Sequence, residues 1–117
     1  MSEGFLALIG ELMAPLGHVS MRRMFGGHGV YLDGAFVAIV WKDQLYLKTD
    51  PETRPRFEER SLAAFRPSQK SDYSLGFHMP PEEALDDAEA FRPWAELALA
   101  AALRVRRSKR PNRRRGT

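Results

Sequence analysis

Apolar side chains near the start of the chain fall at Phe5, Ile9, Leu12 and Leu16, with Leu6 and Met13 beside them. Steps of four, three and four residues make one stripe of an amphipathic helix over residues 2–16, which Pro15 and Gly17 bring to an end. From Val19 the period changes. Short apolar runs, VSMRRMF, VYL, AFVAIVW and LYLK, alternate with the turn-forming GGHG, Asp33-Gly34 and Lys42-Asp43-Gln44. Asp-Gly between two such runs predicts a type I′ hairpin, because both central residues of that turn need positive φ. The segment therefore reads as an antiparallel meander. AFVAIVW lacks any polar alternation, which makes it a central strand buried on both faces.

Asp50-Pro51-Glu52 has the chemistry of a helix start, with Asp as N-cap, Pro in the first turn and an acid near the positive end of the dipole. Pro55 removes a further backbone donor, so regular helix can also begin there; Phe57 and Leu62 are its expected core contacts. A polar loop over RPSQKSD precedes a strand YSLGFHM, closed by Pro80-Pro81, and PEEALDD reads as a turn or one helical turn. The last helix starts at Ala88 or Pro93 and runs to about Arg107. On its wheel Trp94, Leu97, Ala98, Ala101 and Val105 lie on one side, while Leu99 and Leu103 point nearly opposite. Two apolar faces need two supports: the sheet for one, and the first helix or a second subunit for the other. The expected fold is α+β, a two-layer antiparallel meander packed by N- and C-terminal helices.

Composition sharpens this picture. The chain has 117 residues, no cysteine and 44% hydrophobic residues, enough for one domain with its own core and too little for two. Without thiols there is neither a disulfide framework nor a thiolate metal site, which fits a reducing, cytoplasmic setting. MSEGFLALIGELMAPLG lacks a basic leader region and carries Glu3 and Glu11, so it does not read as a signal peptide. The most apolar window, Trp94 to Leu103, is far shorter than the ~20 residues that cross a bilayer, so no membrane partner is expected.

The pI near 9.6 and net charge of +3 divide unevenly along the chain. Residues 1–103 hold 10 basic against 15 acidic residues, a net −5. Residues 104–117 hold Arg104, Arg106, Arg107, Lys109, Arg110, Arg113, Arg114 and Arg115 with no acid, a net +8. SKRPNRRRGT has no strongly apolar side chain to offset ordering, so residues 104–117 are expected to form a disordered basic tail. Such an arm suits weak, non-specific contact with nucleic-acid phosphates, which carry no base information.

Candidate chemistry is sparse. Arg22 and Arg23 precede Gly26, Gly27 and Gly29, a local composition that a phosphate-cradling loop would use. No Gly-Lys-Ser/Thr and no helix start follow, so a tight strand-to-strand turn is the expected role. His18, His28 and His78 are far apart and make no HxH, HxxxH or HExxH spacing, so no metal site is expected. Glu58-Glu59, Glu82-Glu83 and Asp86-Asp87 read as caps or solvated surface, and no serine sits in a nucleophile motif. No catalytic, cofactor-binding or metal-ligating residue is assigned. Arg22, Arg23, Leu99 and Leu103 are assigned as partner-surface candidates, and the eight tail cations as nucleic-acid contacts.

Four blocks of the chain, in order, carry a resemblance. They are Met24-Phe25-Gly26-Gly27 before the hairpin, Leu45-Tyr46-Leu47-Lys48 before Asp50, Thr53-Arg54-Pro55 with Phe57, and Pro81-Glu82-Glu83 before Arg92-Pro93-Trp94. Over nearly all of residues 3–103 the sequence resembles the N-terminal domain of the TfoX/Sxy family, bacterial regulators or co-activators linked to competence for DNA uptake. The resemblance implies helices against an antiparallel sheet, similar to secretion-chaperone-like folds that often pair, and no catalytic residue. It departs from the family at His28, where an aromatic is more frequent, and at Leu75-Gly76-Phe77 in an aromatic-rich strand. Full-length regulators of the family also carry a helical C-terminal domain, where this sequence has its arginine tail. The implied role is a single-domain, non-enzymatic regulatory or adaptor form working through protein contact, with a homodimer among its expected states.

Overall fold

A computed structural model describes residues 3–24, 26–66 and 76–109, with side chains as far as Arg107. Helix α1 spans Glu3–Met13 and passes through a 3-10 turn, Ala14–Leu16, into Gly17. Strands β1 (Val19–Met24), β2 (Gly27–Leu32), β3 (Ala35–Trp41) and β4 (Gln44–Lys48) follow, then α2 (Arg54–Glu58), β5 (Phe77–His78), a 3-10 turn Glu82–Leu85, and α3 (Ala88–Lys109). The five strands form one antiparallel sheet in the order β1-β2-β3-β4-β5, the meander that the turn chemistry predicts.

Asp33 and Gly34 both have positive φ, 49° and 83°, and close the β2–β3 hairpin as a two-residue I′ turn. Lys42 and Asp43 close β3–β4 in the same way with φ of 52° and 58°, without help from a glycine. A bulge displaces the β2–β3 register: Val30 pairs with Ala38 and Tyr31 with Phe36, so Val37 is the additional residue. Val37 and Ala38 are therefore both in the core.

The helices cover one sheet face. Ile9, Leu12 and Met13 of α1 and Phe91, Ala95, Ala98 and Ala102 of α3 pack with Val30, Leu32, Val40, Leu45 and Leu47, and Phe57 is fully buried among them. A side chain of this kind stabilises by roughly 1.5–3 kcal/mol when fully buried. On the opposite face Ile39, Phe65 and Phe77 are buried under half-buried Phe36, Trp41 and Tyr46. β3 is thus covered on both faces, which is why it has no polar alternation.

Several boundaries differ from expectation. GGHG is not a loop: Gly27, His28 and Gly29 belong to β2, and only Gly26, at φ 77°, precedes the strand as a turn residue. Regular α2 begins at Arg54, and the Asp50 carboxylate caps the turn that leads into it. The described part of YSLGFHM contributes only Phe77–His78 as strand, and residues 67–75, including most of the expected polar loop, lie outside the described residues. α3 starts at Ala88 and accommodates Pro93 on its exposed side, at the cost of the backbone donor that would otherwise serve the residue four positions earlier, exposed Glu89. The same helix continues through Lys109, past the division expected after Leu103; the expectation of disorder from residue 110 onward lies outside the described residues.

Candidate functional site

The arginine and glycine segment occupies one hairpin. Arg22 and Arg23 are consecutive on β1 and exposed, so their side chains leave on opposite faces. The Arg22 guanidinium lies 5.5 Å from the centre of the Tyr31 ring on the aromatic face. Arg23 pairs opposite His28. Gly27 pairs with Met24 of β1, and Gly29 with Arg22 of β1 and Ile39 of β3, so their backbones are part of the sheet instead of a free amide nest. Their lack of a side chain has a packing reason: a Cβ on Gly27 would run into the Val40 carbonyl oxygen, and one on Gly29 would meet Met24 Sδ at 2.9 Å and Phe36 Cε1 at 3.0 Å.

The three histidines are not brought together. His18 is exposed, and its backbone N–H donates to Asp33 Oδ1 at 2.9 Å. His28 is half-buried, with Nδ1 lacking a hydrogen-bond partner among the described residues. His78 is buried, shares a 2.9 Å hydrogen bond with Thr49 Oγ1, and its ring centre is 5.7 Å from that of Phe57. Burial pushes the His78 imidazole below its ordinary value, Glu58 opposes this, and Arg54 adds to it. Among the described residues no group of three or more His, Asp or Glu side chains is placed to hold a metal ion.

The paired carboxylates are surface groups with local duties. Asp87 Oδ1 accepts from the Ala90 N–H at 2.8 Å and caps α3. Glu83 Oε2 accepts from Arg60 Nη2 at 2.7 Å, which lowers the Glu83 carboxyl below its usual range. Glu58, Glu59, Glu82 and Asp86 are exposed.

Asp50 is the carboxylate with the richest surroundings. Its Oδ1 accepts from the N–H groups of Glu52 and Thr53 at 3.1 and 3.0 Å, while Thr53 Oγ1 accepts from the Asp50 N–H at 3.0 Å, a reciprocal cap on the turn into α2. Arg104 completes it from α3, donating Nε to Oδ2 at 2.5 Å and Nη2 to Oδ1 at 3.1 Å. Arg104 Nε also lies 3.0 Å from Glu52 Oε2. Arg104 is therefore tied into the folded body. Arg106 and Arg107 are exposed at the end of α3, and the side chains of Lys109, Arg110, Arg113, Arg114 and Arg115 are outside the described residues.

α1 packs against α3 and supplies the second support that the two-faced helix requires. Leu99 joins the same apolar cluster as Phe5, Leu6, Ile9 and Leu12. Leu103 is 40% exposed and is the one large apolar side chain left open among the described residues.

Two features lay beyond sequence reading. The Asp50–Arg104 pair joins residues 54 apart, and nothing local marks either as the other's partner. The aromatic cluster was signalled only indirectly, by the absence of a polar face in β3. No helix among the described residues is long and apolar enough to cross a membrane.

Comparison with known proteins agrees with the resemblance. No curated protein matches the chain. The family model for the TfoX N-terminal domain matches residues 11–102, from the end of α1 to Ala102, about two turns before α3 ends. That span takes in all five strands and both layers, and the chain belongs to the TfoX N-terminal domain family.

Proposed function

We propose that the protein is a non-enzymatic regulatory or adaptor domain, similar in role to the N-terminal domain of competence regulators, acting through protein contacts. The family match over residues 11–102 carries the reading. Leu103, exposed on α3 beside the half-buried Leu99, offers an apolar contact, and self-association through it is part of the proposal. Sedimentation of the full chain over a dilution series tests that part: a strict monomer at high micromolar concentration removes pairing and leaves contact with other proteins.

A second reading, non-specific nucleic-acid contact by the basic tail, is favoured by the exposed Arg106 and Arg107 at the end of α3. Arg104 cannot be removed to test it, because Asp50 and Glu52 use it. The better variant changes Arg106, Arg107, Lys109, Arg110, Arg113, Arg114 and Arg115 to Gln and keeps Arg104. If half of the tail cations engage duplex phosphates, the native chain should show a slope of log affinity against log salt near −3 to −4, lost in the variant. Affinity capture with both chains separates the readings: a protein retained equally by both supports the first, and nucleic acid retained only by the native chain supports the second.

A further inference from the structure

β1 is the outermost strand of the sheet, paired with β2 on one side only. Backbone groups alternate in direction along a strand, and the hairpin determines which set points where. The Asp33 N–H donates to the His18 carbonyl at 2.7 Å, just before β1 begins. Counting from that bond, Ser20, Arg22 and Met24 direct their N–H and C=O groups at β2, whereas Val19, Met21 and Arg23 direct theirs away from the sheet. Among the described residues nothing hydrogen-bonds to this outward set.

Open edges are usually guarded by proline, a bulge, short length or charge. β1 has six residues, no proline and no break in its register with β2, so charge is its remaining guard. Arg22 and Arg23 supply it, one on each face, both exposed and neither paired with an acid among the described residues. Arg22 is laid back over Tyr31 and not across the edge.

We infer that the β1 edge receives an extended acidic segment of a partner protein as an added strand, with Val19, Met21 and Arg23 making the backbone bonds and Arg22 and Arg23 pairing with carboxylates on its two faces. A second copy fits less well. Self-pairing must bring odd-numbered residues opposite one another: a centre at Arg22 sets the two Arg22 side chains face to face. A centre at Met21 sets them on a diagonal of about 7–8 Å. Either gathers four guanidinium groups into one short block, whereas an acidic segment neutralises both of this chain's charges. The inference rests on the protein-contact reading and gives that partner a chemistry.

The test uses the full chain and a labelled amidated peptide, Thr-Val-Glu-Glu-Val-Thr, with Gln and Lys analogues and one analogue N-methylated at alternate amides. Binding is followed by anisotropy, and amide exchange by NMR. The acidic peptide should bind at least tenfold more tightly than the Gln and N-methylated analogues and slow exchange at Val19, Met21 and Arg23. The R22E/R23E chain keeps the basic tail, so its residual affinity measures attraction by the tail alone; it should lose at least tenfold and prefer the Lys analogue. Equal binding by the two chains, or binding without slower exchange at the three amides, overturns the inference. Slowing of those amides by raised protein concentration without peptide also overturns it, in favour of a second copy. A partner protein captured equally by native and R22E/R23E chains overturns the edge assignment while the protein-contact reading stands.

Discussion

Arg104, near the end of α3, holds the carboxylate of Asp50 through two hydrogen bonds, and Asp50 in turn caps the turn that leads into α2. One contact thereby joins the longest helix, the end of β4 and the shortest helix. Arg104 is also the first residue of what composition alone marks as a tail, so the folded body draws its last cation from the basic end of the chain.

Asp50 should make stability fall at acid pH. The Arg104 guanidinium, with help from the Thr53 N–H, holds its carboxyl at about 2 against the opposing push of burial, below its ordinary 3.8. A lowered folded-state value means that the stabilisation is complete above the unfolded value and is lost as pH falls from about 4 through 2. Asp50→Asn keeps an acceptor for the cap but loses the charge, and should cost about 2 kcal/mol at neutral pH. Asp50→Ala loses the cap as well and should cost roughly 3 kcal/mol. Urea denaturation at pH 7 and 3 checks both, and each variant should lose less stability between the two pH values than the native chain, because neither keeps the titrating carboxyl.

His78 acts in a higher pH window. Burial holds its imidazole below 6.5, so the folded protein keeps it neutral while the unfolded chain takes up a proton first. Its contribution is therefore complete above 6.5 and declines as pH falls below that value. His78→Gln removes the titrating group, and its denaturation midpoint should drop less than that of the native chain between pH 7 and 5. A parallel drop in the two proteins would remove His78 as the source.

The meander was legible because its signals are local: Asp33-Gly34 can satisfy two positive φ values in succession, and β3 advertises burial on both faces by lacking polar positions. The GGHG segment misled for an equally physical reason. Glycine is read as a turn residue from its backbone freedom, but Gly27 and Gly29 stand in β2 because Trp41, Met24 and Phe36 leave no room for a side chain. The Asp50–Arg104 pair could not be read at all, since each half has a sufficient local explanation, a helix cap and a solvated tail charge.

Phe65 tests whether the second cluster contributes to stability. It is 1% exposed, and its ring lies edge-on to Trp41 at 5.5 Å and tilted against Tyr46 at 4.9 Å between centres. Phe65→Ala should lower unfolding free energy by about 3–4 kcal/mol, comparable to a loss in the main core. A cost typical of a surface position, below about 0.5 kcal/mol, would mean that the aromatic face contributes little to holding the sheet.

The two β2 glycines should respond unequally to the same methyl group. At Gly27 the obstacle is the Val40 carbonyl, with Trp41 Cα at 3.3 Å, and backbone in a paired strand cannot move aside without breaking the ladder. At Gly29 the nearest atoms belong to the Met24 thioether, whose three rotatable bonds let it swing away, leaving only the Phe36 ring to yield. Gly27→Ala should therefore cost about 3 kcal/mol and Gly29→Ala roughly 1 kcal/mol, read from urea midpoints at an unchanged denaturant slope. An anion-cradling loop predicts a different order: both substitutions would leave stability nearly intact and weaken phosphate binding. Equal, small losses at the two positions, with phosphate protecting the native chain from unfolding, would return the segment to that role.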